Sequence, residues 1–271
     1  MDNLTLTAIL LGIVEGLTEF LPVSSTGHLI LAAEFFGYNP KQWEVFNVVI
    51  QLPAVMAVVV LYWRTFADVT VGALRGNRES IAFMRNVLAA FIPAAVLGVL
   101  LKSRIDVLLE NPVVVCFALI IGGLVILLVE RFVSHQTYRP VGQMPLSQAV
   151  KIGVIQCVSM IPGVSRSGAT IMGALTLGEN RRTAAEFSFF LAVPTMFGAT
   201  VKQLWDHREE LAAGTGGVGL SEIAVGSVVS FVVSLIVIKF FIGYVSKSGF
   251  APFALYRIVV GVLALTWLLW V

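Results

Sequence analysis

Long apolar runs separated by short polar connections make up most of this chain. Most of the runs are long enough for a helix to cross a hydrocarbon core of about 30 Å. The run at 87–101 is short and contains Pro93, so its limits are left open. The pattern predicts an all-α polytopic membrane protein with about six transmembrane helices. The runs lie near residues 45–63, 87–101, 112–130, 184–201, 219–243 and 253–271.

Composition supports the same class of protein. Hydrophobic types account for 58% of the 271 residues and charged types for only 13%, which is too few to cover a soluble globule. The net charge of +2 gives no argument for a nucleic-acid partner. Cys116 and Cys157 lie in apolar segments without metal-type spacing and are interpreted as small core residues. The stretch from Leu4 to Leu21 lacks a basic start and carries two glutamates, unlike a cleaved signal peptide.

Two polar stretches interrupt the apolar pattern, and they match each other. A shift of 141 residues aligns GIVEGLTEFLPVSSTG (12–27) with GVIQCVSMIPGVSRSG (153–168). The same shift places FNVVIQLPAVMA (46–57) on FSFFLAVPTMFG (187–198) without a gap. The chain is therefore predicted to be a single membrane domain, 1–271, made of two repeats at about 1–135 and 142–271.

The number of segments in each half predicts an inverted-topology repeat. Each half contains a polar-tipped hairpin followed by three spanning segments, so the second half enters the membrane upside down. The hairpins, at about 4–37 and 148–178, have arms too short to cross comfortably and fit two re-entrant helical hairpins. Irregular backbone at that depth is tolerated only where protein or a water-filled cavity satisfies its polar groups.

Charge in the connections predicts an orientation. Loops 64–86, 131–151, 179–183 and 239–252 carry most of the basic residues, whereas the opposite side holds the acidic cluster Asp206, Glu209 and Glu210. By the positive-inside rule the basic side is cytoplasmic, and both termini lie outside.

Glu15 and Glu19 are the first candidates for chemistry. They are four residues apart and share one face of a helix. Two carboxylates that close either share a proton or share a cation, such as Mg²⁺ or Ca²⁺. The alternative is a helix face that lines a wet cavity without chemistry.

The turn after these acids favours an anion. Pro22 ends one helix and another begins a few residues later, which turns backbone N–H groups and a positive helix end toward the turn. Ser24, Ser25 and Thr26 add hydroxyl donors or a nucleophile, and His28 can exchange a proton near neutral pH.

The matching turn in the second half carries Arg166, whose planar guanidinium suits bidentate phosphate binding. Ser165, Ser167 and Thr170 can donate beside it. Arg257, inside the last apolar run, is a second buried cation. It contacts phosphate or else partners a glutamate or a carbonyl, and the sequence leaves both roles open.

Taken together, these residues indicate phosphoryl transfer or anion transport on an amphiphilic substrate. The buried amides Gln51 and Gln156 are candidates to line the same cavity. The sequence has no Walker loop, dinucleotide fingerprint, HExxH or CxxC motif, so it does not indicate a nucleotide, zinc or redox reaction.

The two motifs EGLTEFLPVSSTGH and PGVSRSGAT closely resemble those of the bacterial undecaprenyl-diphosphate phosphatases, the bacitracin-resistance family. The resemblance runs end to end and includes FSFFLAVP and the late Ala-Leu-Tyr-Arg. It implies removal of the terminal phosphate from the C55 isoprenoid diphosphate, which regenerates the monophosphate lipid carrier for peptidoglycan synthesis. It also implies a multi-pass protein of the bacterial inner membrane, a site facing the periplasm, a divalent cation (Mg²⁺ or Ca²⁺) and bacitracin resistance.

The resemblance also implies roles for individual residues. Ser25 is the preferred nucleophile, with His28 activating it or protonating the leaving group, and attack by His28 or by water stays open. Pro53 departs from the small residue expected after Gln51. The catalytic set is Glu19, Ser25, His28 and Arg166. The metal ligands are Glu15 and Glu19. The substrate-binding set is Ser24, Thr26, Ser165, Ser167, Thr170, Arg257 and Gln51.

Two other functions are weighed against this one. The inverted repeat is also typical of transporters, so a flippase for the same lipid is the main rival. A purely structural membrane protein is the second. The expected partners are the polyprenyl diphosphate substrate and membrane lipids, with no nucleic acid and a possible homodimer.

Overall fold

The computed structural model describes residues 3–133, 137–209 and 218–270, and helices make up 85% of it. The described residues contain no strand, and their one isolated bridge pairs Thr137 with Glu179. The all-α prediction is confirmed. Glu210 of the acidic cluster and residue 271 of the last apolar run lie outside the described residues. The helices are α1 Asn3–Thr18, α2 Ser25–Phe36, α3 Glu44–Val49, α4 Gln51–Leu61, α5 Trp63–Leu74, α6 Arg78–Leu100, α7 Lys102–Leu109, α8 Pro112–Phe132, α9 Leu146–Gln156, α10 Arg166–Thr176, α11 Arg181–Asp206, α12 Leu220–Ser248 and α13 Ala251–Trp270.

Six segments are long and apolar enough to cross a membrane, as predicted. They are α6, α8, α11, α12, α13 and the stretch Pro40–Leu61, in which a short 3₁₀ turn leads into α3 and α4. The helix that contains the predicted run 87–101 is longer than that apolar run. It begins at Arg78, where the Asn77 side chain accepts hydrogen bonds from the N–H groups of Glu79 and Ser80, and it continues through Pro93.

The order of elements repeats at the same offset as the sequence. Moving by 141 residues places α1 and α2 on α9 and α10, and α6 and α8 on α12 and α13. Gly37 and Gly178 both have positive φ, at 67° and 90°, and Asn39 and Asn180 each cap the helical segment that follows. The apolar helices Leu4–Thr18 and Leu146–Met160 are too short to be counted as spans. The opposite orientation of the halves and the re-entrant path of the hairpins remain predictions.

Each short helix packs closely against a long spanning helix of the other half. A Cβ atom on Gly12 of α1 would lie 2.7 Å from the carbonyl oxygen of Gly226 in α12. In the matching pair, a Cβ on Gly153 of α9 would collide with the backbone of Ala90 in α6. Small residues of this kind let helix backbones approach in a membrane protein. The contacts fix α1 and α9 against the long helices, and with them the polar turns that follow.

An aromatic cluster fixes the end of α1 beside α11. Phe20 is fully buried, and its ring meets Phe189 edge to face with centroids 5.3 Å apart and planes at 87°. Pairs of this geometry are favourable beyond their buried area. Glu19, just before Phe20, is thereby brought to the neighbourhood of α11 and of the second turn.

Candidate active site

The two turns have the same backbone conformation at matching serines. Ser24 and Ser165 are the only non-glycine residues with positive φ in the described part of the chain, at 74° and 78°. Their side chains cap α2 and α10 by accepting hydrogen bonds from the N–H groups of Gly27 (3.3 Å) and Gly168 (3.0 Å). A non-glycine residue in this sparsely populated backbone conformation costs about 1–3 kcal/mol, and such residues are concentrated at functional sites. Both helices therefore begin in the interior, with their positive ends at the turns.

A buried ion pair joins the two turns. The Arg166 Nη2 atom lies 3.1 Å from Glu19 Oε1, and both side chains are almost fully buried. The other carboxylate oxygen of Glu19 accepts a hydrogen bond from Ser25 Oγ at 2.5 Å. A hydroxyl, a carboxylate and a guanidinium are thus aligned in a setting where charge is poorly screened. The structure brings together three of the four predicted catalytic residues in one network.

Ser188 of α11 completes the surroundings of Arg166. The Arg166 Nη1 atom donates to the Ser188 carbonyl at 2.9 Å, and Thr170 Oγ1 lies 2.7 Å from Ser188 Oγ. Arg166 Nε is buried without a hydrogen-bond partner. Ser188 was not predicted from the sequence as a site residue. Its signal was the repeat, because Ser188 falls on Asn47 of the first half and both positions are polar in apolar segments.

Glu15 has no partner for either carboxylate oxygen. It is fully buried, one helical turn before Glu19, and neither oxygen has a hydrogen bond. Two acids beside one arginine leave one negative charge that needs a proton or a cation. No group of three or more His, Cys, Asp or Glu side chains that could hold a metal occurs in the described residues. Mg²⁺ commonly binds one or two carboxylates together with substrate phosphates, so this pair fits a divalent cation.

Both ring nitrogens of His28 have partners other than Ser25. Its Nδ1 lies 2.7 Å from the Ser24 carbonyl oxygen and its Nε2 lies 2.8 Å from the Tyr256 hydroxyl. The described contacts include no hydrogen bond between His28 and Ser25, and the Ser25 proton points to Glu19 instead. The hydroxyl of Ser25 is therefore paired with Glu19 and not with His28 in the described contacts. Tyr256 was not proposed from the sequence, although it stands in the quoted Ala-Leu-Tyr-Arg segment.

Arg257 binds backbone, which was the second of its two predicted roles. It is almost fully buried, and all its N–H groups point to carbonyl oxygens. This leaves no donor for substrate, so its assignment as a phosphate ligand is not supported. The guanidinium joins both turns to α8. Its acceptors are the carbonyls of Pro22 (3.0 Å), Gly163 (2.9 Å), Val164 (2.9 Å), Ala118 (3.0 Å) and Leu119 (3.3 Å).

Of the remaining predicted residues, Ser167 is hydrogen-bonded between the two turns, whereas Thr26 and Gln51 have no described hydrogen bond to the network. Ser167 Oγ lies 3.0 Å from Ser165 Oγ and donates to the Leu21 carbonyl at 2.8 Å, which adds a second link between the turns. Thr26 is partly exposed in the first turn of α2. Gln51 begins α4, and none of its described contacts is a hydrogen bond to the site.

Comparison with known proteins identifies the family. The family model for the bacitracin resistance protein BacA matches residues 8–263. The undecaprenyl-diphosphatase of Novosphingobium aromaticivorans is 63% identical over 99% of both chains. The enzymes of the same name from Rhizorhabdus wittichii and Sphingopyxis alaskensis are 55% and 53% identical, over 99% and 97% of this chain and 99% and 98% of their own. The family resemblance of the two motifs is confirmed, and the chain belongs to the BacA family of bacitracin resistance proteins.

Proposed function

We propose that this chain is an undecaprenyl-diphosphatase, which hydrolyses the terminal phosphate of the C55 isoprenoid diphosphate and returns the monophosphate lipid carrier. Relatives more than 50% identical over nearly the whole chain bear that name. The observation in the structure that carries the proposal is the buried Ser25–Glu19–Arg166 network, in which a hydroxyl is aimed at a carboxylate held by a cation. A structural membrane protein has no need of this arrangement.

Each residue of the network has a task in such a reaction. Arg166 has a free Nε and, with the positive ends of α2 and α10, binds oxygens of the terminal phosphate. Glu19 takes the proton of Ser25 as its Oγ attacks the terminal phosphorus. The bond between that phosphorus and the bridging oxygen breaks, and the lipid monophosphate leaves. Water then releases inorganic phosphate from the phosphoserine. Positioning and charge stabilisation supply most of the catalysis.

A divalent cation, Mg²⁺ or Ca²⁺, is part of the proposal. Glu15 and Glu19 would hold it, since both carboxylate oxygens of Glu15 are buried without a hydrogen-bond partner. When bound, the cation neutralises negative charge on the diphosphate oxygens.

The setting of the reaction follows from the chain's character. The chain is a multi-pass membrane protein with a lipid substrate. We place it in the bacterial inner membrane with the site open to the periplasm, supported by the basic residues of the segments 64–86 and 239–252. The network lies within one chain, so a homodimer is not needed to complete it.

Phosphate release from a polyprenyl diphosphate by purified protein in detergent tests the proposal. We expect release by wild type that is lost with chelator and restored by Mg²⁺ or Ca²⁺. Trapping the phosphorylated enzyme decides the nucleophile: label on Ser25 supports the scheme, while label on His28 removes it. Movement of the lipid across vesicles without phosphate release would instead support the flippase.

A further inference from the structure

Tyr256 contacts the predicted catalytic side chain of His28 and has not been assigned a role. Its hydroxyl lies 2.8 Å from His28 Nε2, and the two rings are nearly parallel, with planes at 6° and centroids 5.5 Å apart. Tyr256 belongs to α13 in the second half of the chain, whereas His28 belongs to α2 in the first.

The contacts of the His28 ring define its protonation pattern. The partner of Nδ1 is the carbonyl oxygen of Ser24, which only accepts, so Nδ1 carries the hydrogen. In the neutral ring, Nε2 then offers a lone pair, and the Tyr256 hydroxyl donates to it. Nε2 is therefore the ring nitrogen that can take up a proton, and its lone pair accepts the hydrogen bond from the Tyr256 hydroxyl, which fixes the direction of the ring.

Both partners of the ring are themselves held firmly. The Ser24 carbonyl is oriented by the positive-φ backbone of the turn, at φ 74°. Tyr256 is followed directly by Arg257, whose guanidinium binds the carbonyls of Pro22 and Gly163. The same stretch of α13 thus fixes the turn and directs the hydroxyl to the histidine that follows the turn.

The repeat supplies an independent argument. At the 141-residue offset, His28 corresponds to Ala169 and Tyr256 corresponds to Val115. The second copy of this contact therefore lacks both polar partners, and the first copy has both. Packing alone does not require a tyrosine at the position that faces the histidine, because the matching position of the other copy is Val115.

We infer that Tyr256 is a positioning residue for His28, which holds the imidazole as the Nδ1–H tautomer and fixes the direction of its ring beside the first turn. The hydroxyl keeps its proton, and no bond to Tyr256 is made or broken. This inference rests on the proposed function. The competing explanation is that the two groups only satisfy each other, because Tyr256 is 45% exposed and a hydroxyl near lipid needs a partner.

Tyr256→Phe tests the inference, because it removes only the hydroxyl. We expect kcat to fall by about 10-fold with KM changed less than about 2-fold, since the hydrogen bond orients a group that acts on bound substrate. The matched control is Tyr244→Phe. Tyr244 is 43% exposed, and no hydrogen bond of its hydroxyl occurs among the described contacts. It should leave both constants unchanged.

A spectroscopic measurement keeps the test independent of activity. The chain has 3 histidines, so a ¹⁵N-histidine spectrum can be assigned by difference from His28→Ala. Wild type should show His28 as a single Nδ1–H tautomer, and Tyr256→Phe should show a mixture. If wild type released no phosphate, the proposed function would fail, yet this spectrum would still decide the geometry.

A double-mutant cycle separates positioning from stability. In a His28→Ala background, Tyr256→Phe should cause no further loss of kcat, because the residue to be positioned is gone. Equal losses in both backgrounds would overturn the inference. So would a lower unfolding midpoint with wild-type kcat, or an unchanged His28 spectrum.

Discussion

The turn at Ser24 and the turn at Ser165 share a backbone and differ in chemistry. Each places a serine at positive φ, caps a helix with its side chain and opens that helix into the protein interior. The next residue is Ser25 in the first turn and Arg166 in the second. The same backbone conformation thus presents a hydroxyl in one copy and a cation in the other.

The residues before each turn also differ in charge between the two copies. Glu15 and Glu19 of the first half correspond to Gln156 and Met160 of the second. The first copy therefore contributes the negative charge and the second the positive charge, and the two meet in the Glu19–Arg166 pair. Because the two charges come from different copies, neither half holds a complete site.

Arg166→Ala breaks this comparison most severely. It removes the cation of the second turn and leaves Glu19 as an uncompensated buried charge. We expect kcat/KM for phosphate release to fall on the order of 10³-fold, since electrostatic stabilisation is lost as well as substrate binding. Arg182→Ala is the control, because Arg182 is 58% exposed in an ion pair with Glu186 at the surface. Equal activity of the two variants would contradict the role of Arg166.

Glu19→Gln tests the acidic side of the same pair. An amide keeps the shape but cannot take the Ser25 proton, so we expect kcat to fall by about 10²-fold. Phosphoserine trapping should fall in parallel. Glu34→Gln changes an exposed carboxyl of α2 and should have no effect. If Glu19→Gln reacted as fast as wild type, another group would have to accept the proton.

Gly122→Ala tests the link that holds both turns to α8. A Cβ at this position would collide with the Nη2 atom of Arg257. We expect the free energy of unfolding to fall by about 1–3 kcal/mol, as for other overpacked sites, with a smaller loss of kcat than Glu19→Gln. Gly243→Ala is the control, because a Cβ there meets nothing within 4 Å. An unchanged unfolding midpoint in detergent would show that Arg257 can be displaced without cost.

Much of this arrangement could be predicted from the sequence because the repeat marks it twice. The offset identified both turns, and the acids in one copy with Arg166 in the other indicated that the two would meet. The helix class and the number of spans followed from the apolar runs. The start of α6 at Arg78 did not, because its first turns are polar and are defined by the Asn77 cap.

Contacts between distant helices were the part that sequence could not give. The hydroxyl of Tyr256 meets His28 across 228 positions of the chain, and Arg257 reaches the Pro22 carbonyl across 235. A backbone carbonyl carries no signal in the sequence, so a buried arginine bound to carbonyls looks the same as one bound to phosphate. The partners of the His28 ring could not be predicted either, since proximity in the chain does not fix the direction of an imidazole, and the role of His28 in the reaction stays a prediction.

The smallest expected effect distinguishes the two hydroxyls that follow Ser25 and Arg166. Ser167 is buried and donates to the Leu21 carbonyl at 2.8 Å, so it ties the second turn to the first. Ser167→Ala should lower the free energy of unfolding by about 1 kcal/mol and reduce kcat a few-fold, because the partly buried Leu21 carbonyl loses its partner. Thermal unfolding in detergent and phosphate release measure the two effects.

Thr26 occupies the corresponding position of the first turn but is partly exposed, and the described contacts include no hydrogen bond of its hydroxyl. Thr26→Ala should therefore leave the unfolding midpoint unchanged, and any effect should appear in KM alone, where a hydroxyl facing the substrate would act. If Thr26→Ala destabilised the protein as much as Ser167→Ala, the hydroxyls of both copies would be structural. If Thr26→Ala raised KM without affecting stability, the Thr26 hydroxyl would serve substrate binding, whereas the Ser167 hydroxyl serves to connect the two turns.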